Sequence, residues 1–332
     1  METSLYYGLP RFCFTEHATP LEYAPRLSEK LGIKLYIKRD DKTGLVTGGN
    51  KVRKLEFLMA DAVKKGADVV LTTGSLQSNH AMLTCAAANK LGLEPVLVLK
   101  GKEPARLQGN LLLEKLLGVR VHFVDAEEYR EVYDFMEEMM ADLQAKGRNP
   151  YFIPVGGSTP LGAVGYVAAA EELFQQAGEM GLNVDYIVNA VGSGGTSAGL
   201  EVGVRLFNKS TRVVGISVDA EKSVFQQEIA RIAAGCASLI AKSLDIKPED
   251  VIVIDEYIGE AGYGKPSRAG NSAIELVAAC EGIILDPVYS GKAMGGLIDL
   301  ARQGYFNPGS TVVFFHTGGI PAIFDLLQDQ KF

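Results

Sequence analysis

One lysine in the sequence, Lys51, has the setting that covalent amine chemistry requires. It follows the flexible turn Gly48-Gly49-Asn50 and begins a stretch of helical periodicity that includes Leu55 and Leu58. A lysine that forms a Schiff base needs its amine near a carbonyl and partly removed from water, so that the neutral form is available. We therefore predict this role for Lys51. The common alternative is a solvated lysine in a basic helical turn.

A glycine-rich loop lies between an apolar segment, residues 186–191, and a second helical stretch. Its members offer backbone amides or hydroxyl groups to an anion: Gly192, Ser193, Gly194, Gly195, Thr196 and Ser197. A helix that begins at such a loop adds its positive dipole, so the loop is predicted to bind phosphate. The Gly-Lys-Ser/Thr of a nucleoside triphosphate loop is absent, and the glycines fit dinucleotide spacing poorly. A phosphate monoester suits the three hydroxyl groups, and a turn without a ligand is the alternative.

Two polar residues follow another apolar segment, residues 69–72, where a helix is predicted to begin. Ligands collect at the carboxyl ends of parallel strands, so Ser78 and Asn79 are candidates to receive a carboxylate or a ring hydroxyl. Ser78 can also cap the helix, and the two roles can coexist. His80 is predicted to lie beside the substrate as a core histidine rather than to act in catalysis.

A tyrosine on a sharp turn is the candidate acid or base. Tyr289 stands in the segment Asp286-Pro287-Val288-Tyr289-Ser290, just before a helical stretch. A buried tyrosine hydroxyl near a cationic amine can exchange a proton, although a tyrosine that only packs is the alternative. Tyr263, in a Gly-Tyr-Gly turn, and Thr317, after the last predicted strand, are weaker signals that are equally compatible with plain turns.

The elements that must position these residues alternate along the chain. Helical runs end in lysine and then glycine before a short apolar strand, as at residues 30–37, 65–71 and 90–98. The lysine complements the helix dipole and the glycine takes the left-handed cap conformation. Continuous apolar strands between helices predict an α/β protein, with parallel sheets buried on both faces. A chain of 332 residues favours two domains.

Composition excludes several classes of function. The net charge is −7 and no block of lysine and arginine is present, so nucleic acid and membrane surfaces are poor partners. Four scattered cysteines, with no signal-peptide pattern at the N-terminus, favour a cytoplasmic protein. Four scattered histidines show no metal-ligand spacing, so we expect no metal.

Taken together, the motifs resemble those of fold-type II pyridoxal-phosphate enzymes, and in particular the D-cysteine desulfhydrase and 1-aminocyclopropane-1-carboxylate (ACC) deaminase family. Gly-Gly-Asn-Lys, Gln-Ser-Asn-His and Asp-Pro-Val-Tyr occur in that order, and the resemblance extends to His316-Thr317-Gly318-Gly319. It implies a two-domain fold similar to the tryptophan synthase β subunit. A smaller α/β domain, residues 48–160, carries the Ser-Asn-His loop. It is inserted into a larger cofactor-binding domain, residues 1–47 and 161–332. The resemblance also implies a homodimer.

The same resemblance implies roles for the cofactor site. Pyridoxal 5′-phosphate would form a Schiff base with Lys51, and Asn79 would hydrogen-bond its ring hydroxyl oxygen. The loop of residues 192–197 would hold the phosphate, with help from Lys54, and Thr317 would line the ring.

The substrate site follows from the resemblance in the same way. The substrate is expected to be a small amino acid whose carboxylate meets Ser78. Tyr289 would lie on the face of the ring near the reacting carbon, and Tyr263 would be a second active-site tyrosine.

The residue after Tyr289 helps to choose the reaction. ACC deaminases resemble one another in having glutamate there, close to the pyridine nitrogen, whereas this chain has Ser290. A hydroxyl leaves the ring mostly neutral and makes it a weaker electron sink than a carboxylate would. A weak sink suffices when a good β-substituent leaves, so Ser290 favours β-elimination over the opening of a cyclopropane ring.

We therefore expect D-cysteine desulfhydrase activity, which gives pyruvate, ammonia and hydrogen sulfide. ACC deamination and L-cysteate sulfo-lyase activity are alternatives within the family. The second is weakened by Ala81-Met82, where many members have Thr-Arg. Outside this chemistry, a nicotinamide-dependent Rossmann protein, favoured by Asp219 after the next strand, or a phosphate-binding module stays open.

Overall fold

The computed structural model describes residues 3–328. Its strands, in chain order, are β1 (Thr3–Tyr6), β2 (Leu9–Phe12), β3 (Leu21–Tyr23), β4 (Lys34–Lys38), β5 (Val69–Ser75), β6 (Glu94–Lys100), β7 (Arg120–Val124), β8 (Pro150–Ile153), β9 (Tyr186–Val191), β10 (Arg212–Ser217), β11 (Ile252–Ile254) and β12 (Thr311–Phe315). Its α-helices are α1 (Pro25–Leu31), α2 (Lys51–Lys64), α3 (Asn79–Lys90), α4 (Gly109–Leu116), α5 (Tyr129–Ala145), α6 (Pro160–Glu179), α7 (Gly195–Phe207), α8 (Lys222–Leu239), α9 (Arg268–Glu281), α10 (Ser290–Arg302) and α11 (Ile323–Leu326).

Two large sheets organise the chain, and β1 and β2 form a separate antiparallel pair. The larger sheet has the order β11-β10-β9-β12-β4-β3, with parallel pairing except at the edge strand β3. The smaller sheet has the order β7-β6-β5-β8 and is entirely parallel. The chain leaves the larger sheet after β4, builds the smaller one and returns at β9. We propose that residues 48–160 form the smaller domain. The chain ends assigned to the larger domain, residues 1–2 and 329–332, lie outside the described range.

Strand β12 shows why the strands are continuous apolar runs in the sequence. Val312 and Phe314 pack into a core with residues of α9 and α10, whereas Val313 and Phe315 pack with residues of α6 and α7. All four side chains are fully buried. Helices therefore cover both faces of the larger sheet, and the α/β fold predicted from the sequence is confirmed.

The predicted helix ends are also present. The glycines after five of the helices have φ angles between 68° and 76°: Gly32, Gly66, Gly92, Gly118 and Gly147. This is the left-handed conformation that a helix C-terminus requires and that glycine adopts without strain. Among residues 3–328, no helix is both long enough and apolar enough to cross a membrane.

Candidate active site

One cavity lies where loops from both sheets converge. The space between its walls, including the open mouth, is about 620 Å³. The side chains and backbone segments that line it are Asn50, Lys51, Gly74, Ser78, Asn79, His80, Val155, Gly156, Ala190, Gly192, Ser193, Gly194, Thr196, Ser197, Tyr263, Tyr289 and Thr317. Most of the residues predicted from the sequence are therefore brought to one place. Lys54 and Gly195 lie directly behind the lining, and Ser290 is not part of it.

The turn before Lys51 fixes the position of the lysine. Gly48 and Gly49 have φ angles of 69° and 132°, and a Cβ on Gly48 would lie 2.3 Å from a backbone oxygen. The Thr43 hydroxyl bridges the amide and the carbonyl of Gly49, at 2.7 and 2.9 Å. The backbone amide of Asn50 donates to the backbone carbonyl of Thr317 at 3.1 Å. Helix α2 therefore begins at Lys51, as predicted, and its first residue faces the cavity.

Two lysines place positive charge at the cavity without a carboxylate to balance it. Burial lowers the pKa of Lys51 to about 8. Burial, and then the charge of Lys51, lower the pKa of Lys54 well below its ordinary value. The Lys54 ammonium donates only to the Gly156 carbonyl at 3.1 Å and to the Ser158 hydroxyl at 3.2 Å. Within residues 3–328, neither lysine makes a salt bridge.

The glycine loop forms a cradle between β9 and α7. Gly194 caps the helix with a φ angle of 78°. A Cβ on Gly195 would lie 2.9 Å from Lys54 Nζ and 2.7 Å from the Ser158 hydroxyl, so a larger residue would fill the cradle. The hydroxyl groups of Thr196 and Ser197 are held by hydrogen bonds from neighbouring asparagines. The loop thus presents ordered amides and hydroxyls at the positive end of α7.

Ser158 is a residue of this cradle that the sequence did not reveal. Its hydroxyl lies 2.8 Å from the Ser193 hydroxyl and accepts from the Gly195 amide at 3.2 Å. It follows β8 in the segment Gly156-Gly157-Ser158. A glycine pair at the carboxyl end of a strand is the signal that could have indicated it.

Helix α3 presents three residues to the cavity. Ser78 caps it, accepting from the Ala81 amide at 3.2 Å, so the predicted capping role is confirmed. His80 Nε2 lies 2.8 Å from the Thr72 hydroxyl, which donates to the Ile153 carbonyl. Since that hydroxyl has one proton, His80 Nε2 must be the donor in the first contact. Burial, and then the charges of the two lysines, lower the pKa of His80, so it is a neutral and structurally paired histidine.

Two tyrosines meet on another side of the cavity. The hydroxyl groups of Tyr263 and Tyr289 lie 2.6 Å apart, and their rings meet edge to face. Burial raises the pKa of both phenols, most strongly that of Tyr289. Both therefore keep their protons near neutral pH and can donate a hydrogen bond or relay a proton.

Ser290 does not line the cavity, and its predicted contact with the cofactor stays a prediction. Its hydroxyl donates to Asp286 Oδ1 at 2.6 Å and accepts from the Asp286 amide at 2.8 Å, so it is turned away from the cavity. The Asp286 carboxylate also accepts from the amides of Val288, Tyr289 and Ser290, which closes the turn before α10. Thr317, which follows this turn in the sequence, also carries a hydroxyl group and does line the cavity. Asp219, on which the nicotinamide alternative depended, is not part of the lining.

The donor set of the cavity fits pyridoxal phosphate. A phosphate dianion would compensate the buried charge of Lys54 and accept from the amides and hydroxyls of the loop. Lys51, Asn79 and Thr317 would hold the ring portion. The buried amine of Lys54 has no anionic partner among residues 3–328, so a phosphate bound there would favour its protonated form.

Comparison with known proteins gives the class of the protein. The family model described as pyridoxal-phosphate dependent enzyme matches residues 13–318. The chain therefore belongs to the pyridoxal-phosphate dependent enzyme family, and pyridoxal phosphate is its cofactor.

Individual relatives carry names that are more specific than that of the family. A Pyrococcus furiosus protein, provisionally named 1-aminocyclopropane-1-carboxylate deaminase, is 44% identical over 322 residues, which cover 97% of this chain and 95% of the relative. A D-cysteine desulfhydrase from Klebsiella pneumoniae is 44% identical over 321 residues, 95% of each chain. The crystal structure of an ACC deaminase homologue superposes with a TM-score of 0.88, at 44% identity, over 95% of this chain and 94% of that one. The chain is thus a pyridoxal-phosphate enzyme similar to both named groups.

Proposed function

We propose that this protein catalyses β-elimination from D-cysteine, giving pyruvate, ammonia and hydrogen sulfide. One observation supports this reaction best: among residues 3–328, none that lines the cavity is aspartate or glutamate. The bound cofactor supplies an electron sink, whose strength depends on the charge next to its ring nitrogen. Without a carboxylate there, the site suits a reaction in which a good leaving group departs.

The side chains of the site can perform the proton transfers. With a pKa of about 8, the Lys51 amine is available in both charge states near neutral pH, so it can remove the α-proton. The Tyr289 phenol keeps its proton, so it can donate to the departing sulfur and be supported by the Tyr263 hydroxyl at 2.6 Å. Cysteine and water together balance pyruvate, ammonia and hydrogen sulfide, so no oxidant or reductant is needed.

Ser78 is proposed to orient the substrate. Its hydroxyl lies at the N-terminus of α3, where backbone amides and the helix dipole favour a carboxylate. A second anionic group lacks an arginine partner, because none of the described residues that line the cavity is arginine and Met82 is fully buried. This disfavours L-cysteate, whose sulfonate would need its own cation.

ACC deamination is the second candidate. It is favoured by the names of the Pyrococcus relatives and of the similar solved structure. The two reactions differ in their keto acid, since ACC gives 2-oxobutanoate and cysteine gives pyruvate.

The test is a keto-acid and sulfide assay of the purified holoenzyme with D-cysteine, L-cysteine, L-cysteate and ACC as separate substrates. We expect pyruvate and sulfide in equal amounts from D-cysteine. Production of 2-oxobutanoate from ACC as the fastest reaction would replace the proposal with the second candidate.

Lys51→Ala should remove both turnover and the visible absorption band of the attached cofactor. Lys64→Ala, on the exposed last turn of the same helix, is the matched control and should retain both. Retention of the band in Lys51→Ala would assign the attachment to another lysine.

We also propose that the enzyme is a cytoplasmic homodimer. All four cysteines are free, as expected in a reducing compartment. Light scattering coupled to size-exclusion chromatography would measure the mass directly, and a monomer would contradict the dimer.

A further inference from the structure

A buried asparagine outside the cavity lining contacts Asn79 from behind. Asn110, on the first turn of α4, has no exposed surface. Its side-chain nitrogen donates to the Gln77 carbonyl at 2.9 Å and to Asn79 Oδ1 at 2.8 Å. Asn79 itself lines the cavity. Asn110 is therefore placed to control Asn79 without touching a ligand.

The orientation of each amide in this cluster follows from a backbone group. A backbone carbonyl can only accept, so the atom of Asn110 that faces Gln77 O must be nitrogen. The same nitrogen faces Asn79, so the atom of Asn79 that it meets must be the oxygen. The Asn79 nitrogen therefore points the other way, as a donor.

Gln77 is fixed by the same logic. The Asn110 backbone amide donates to Gln77 Oε1 at 2.8 Å, and Gln77 Nε2 donates to the Gln108 carbonyl at 3.2 Å. The backbone amide of Asn110 can only donate, and the backbone carbonyls of Gln77 and Gln108 can only accept. These groups leave one orientation for each of the three side-chain amides in the cluster. This gives Gln77, the first residue of the Gln-Ser-Asn-His motif, a function.

Space for the Asn79 nitrogen is provided by a glycine. A Cβ on Gly319 would lie 2.9 Å from Asn79 Nδ2, so any larger residue would press on it. Asn110 Oδ1, in contrast, is buried without a hydrogen-bond partner among the described residues. An unpaired buried acceptor is unfavourable, so the value of an amide at this position lies in its nitrogen.

We propose that Asn110 is a positioning residue that fixes the polarity of the Asn79 amide, so that Asn79 Nδ2 donates to the ring hydroxyl oxygen of the cofactor. This rests on the proposed cofactor site, but not on the identity of the substrate. A donor at that oxygen stabilises its anionic form and weakens its hold on the proton that it shares with the nitrogen of Lys51. The donor therefore lowers the pH at which the visible absorption of the bound cofactor changes.

The test is a pH titration of that absorption in the holoenzyme without substrate. In Asn110→Asp, the new carboxylate cannot donate, so Asn79 must turn its nitrogen towards it and its oxygen towards the ring. We expect the transition to rise by about one pH unit, the size of one hydrogen bond to a charged group. Asn110→Ala leaves Asn79 free to turn, and a smaller rise is expected. It also serves as the second variant if Asn110→Asp does not fold.

A double-mutant cycle separates positioning from a general structural effect. Asn79→Ala should raise the transition by itself, and adding Asn110→Asp should then cause no further change. Asn89→Ala is the matched control, because Asn89 also joins α3 to the segment after α4, through the Leu117 carbonyl at 2.8 Å. It should titrate like the wild type.

Two results would overturn the inference. One is a folded Asn110→Asp or Asn110→Ala holoenzyme that titrates at the wild-type pH. The other is a shift that persists in the Asn79→Ala background. Failure to turn over D-cysteine would affect neither measurement, so it would refute the proposed reaction alone.

Discussion

Replacement of Gly195 by alanine is expected to weaken cofactor binding. The new Cβ would lie 2.9 Å from Lys54 Nζ and from Ser158 Cα, and 2.7 Å from the Ser158 hydroxyl. Side chains do not sustain such contacts, so the flexible end of Lys54 must move out of the cradle. Gly195 is the first residue of α7 and its φ angle is not in the left-handed region, so the backbone itself accepts alanine.

The magnitude follows from what Lys54 contributes. A hydrogen bond to a charged partner is worth about 1.5–3 kcal/mol, and its loss corresponds to roughly tenfold to a hundredfold weaker binding. The thermal stability of the apoprotein should also fall, because Ser158 Cα belongs to the backbone and cannot swing aside as the Lys54 amine can. The helical preference of alanine, up to about 1 kcal/mol, offsets part of that loss.

The assay is a titration of apoprotein with pyridoxal phosphate, followed by absorbance, alongside a thermal melt. Gly178→Ala is the matched control, since Gly178 lies in α6 and a Cβ there would meet nothing within 4 Å. It should bind the cofactor normally. If Gly195→Ala bound the cofactor as tightly as the control does, the assignment of this loop and Lys54 to the phosphate would be refuted.

Three further outcomes follow from the charges of the structure. The cofactor attaches to the apoprotein through the neutral Lys51 amine, so the rate of attachment should rise about tenfold per pH unit and level off near pH 8. Stopped-flow absorbance measures this rate, and a rate that does not change with pH would contradict the lowered pKa of Lys51. Arg53 is buried and pairs with Asp40 and Glu172, so Arg53→Leu should lower the free energy of unfolding by about 3–5 kcal/mol in urea melts. Arg231 forms an exposed pair on α8, so the control Arg231→Leu should change that free energy by less than about 1 kcal/mol. Burial raises the pKa of Glu172, but the hydrogen bonds and charge of Arg53 outweigh it and lower the pKa to about 2. Because the folded pKa lies below the unfolded one, the stabilisation of about 3 kcal/mol is present above pH 4.5 and is lost as the pH falls towards 2. Glu172→Gln should flatten that part of the melting-temperature profile.

Features set by a few neighbouring residues could be predicted from the sequence. Helix α2 begins at Lys51 because a glycine pair and an asparagine precede it, and Ser78 caps α3 as expected. The short strands β1, β2 and β3 gave no comparable signal, since they have three or four residues each and lie outside the buried parallel ladders.

The Ser290 hydroxyl is oriented by its turn, and its predicted contact with the cofactor ring stays a prediction. The sequence places a hydroxyl after Tyr289, but the direction of that hydroxyl depends on the backbone of the turn. The Asp286 carboxylate accepts hydrogen bonds from three backbone amides of that turn, and the Ser290 hydroxyl donates a fourth to the same carboxylate. The proposal of β-elimination no longer needs Ser290, because none of the described residues that line the cavity is aspartate or glutamate.

The sequence by itself therefore determined the α/β alternation and the helix that starts at Lys51, because caps, turns and apolar runs act within one or two turns of chain. It indicated the type of cofactor chemistry through the resemblance of its motifs to a known family. Only the tertiary structure decided which distant groups complete the site. Ser158 reaches Ser193 across 35 positions, and Asn110 reaches Asn79 across 31. The first contact depends on how loops of the two sheets pack against one another, and the second on how α4 packs against the start of α3 beside the smaller sheet. Local sequence does not encode either packing.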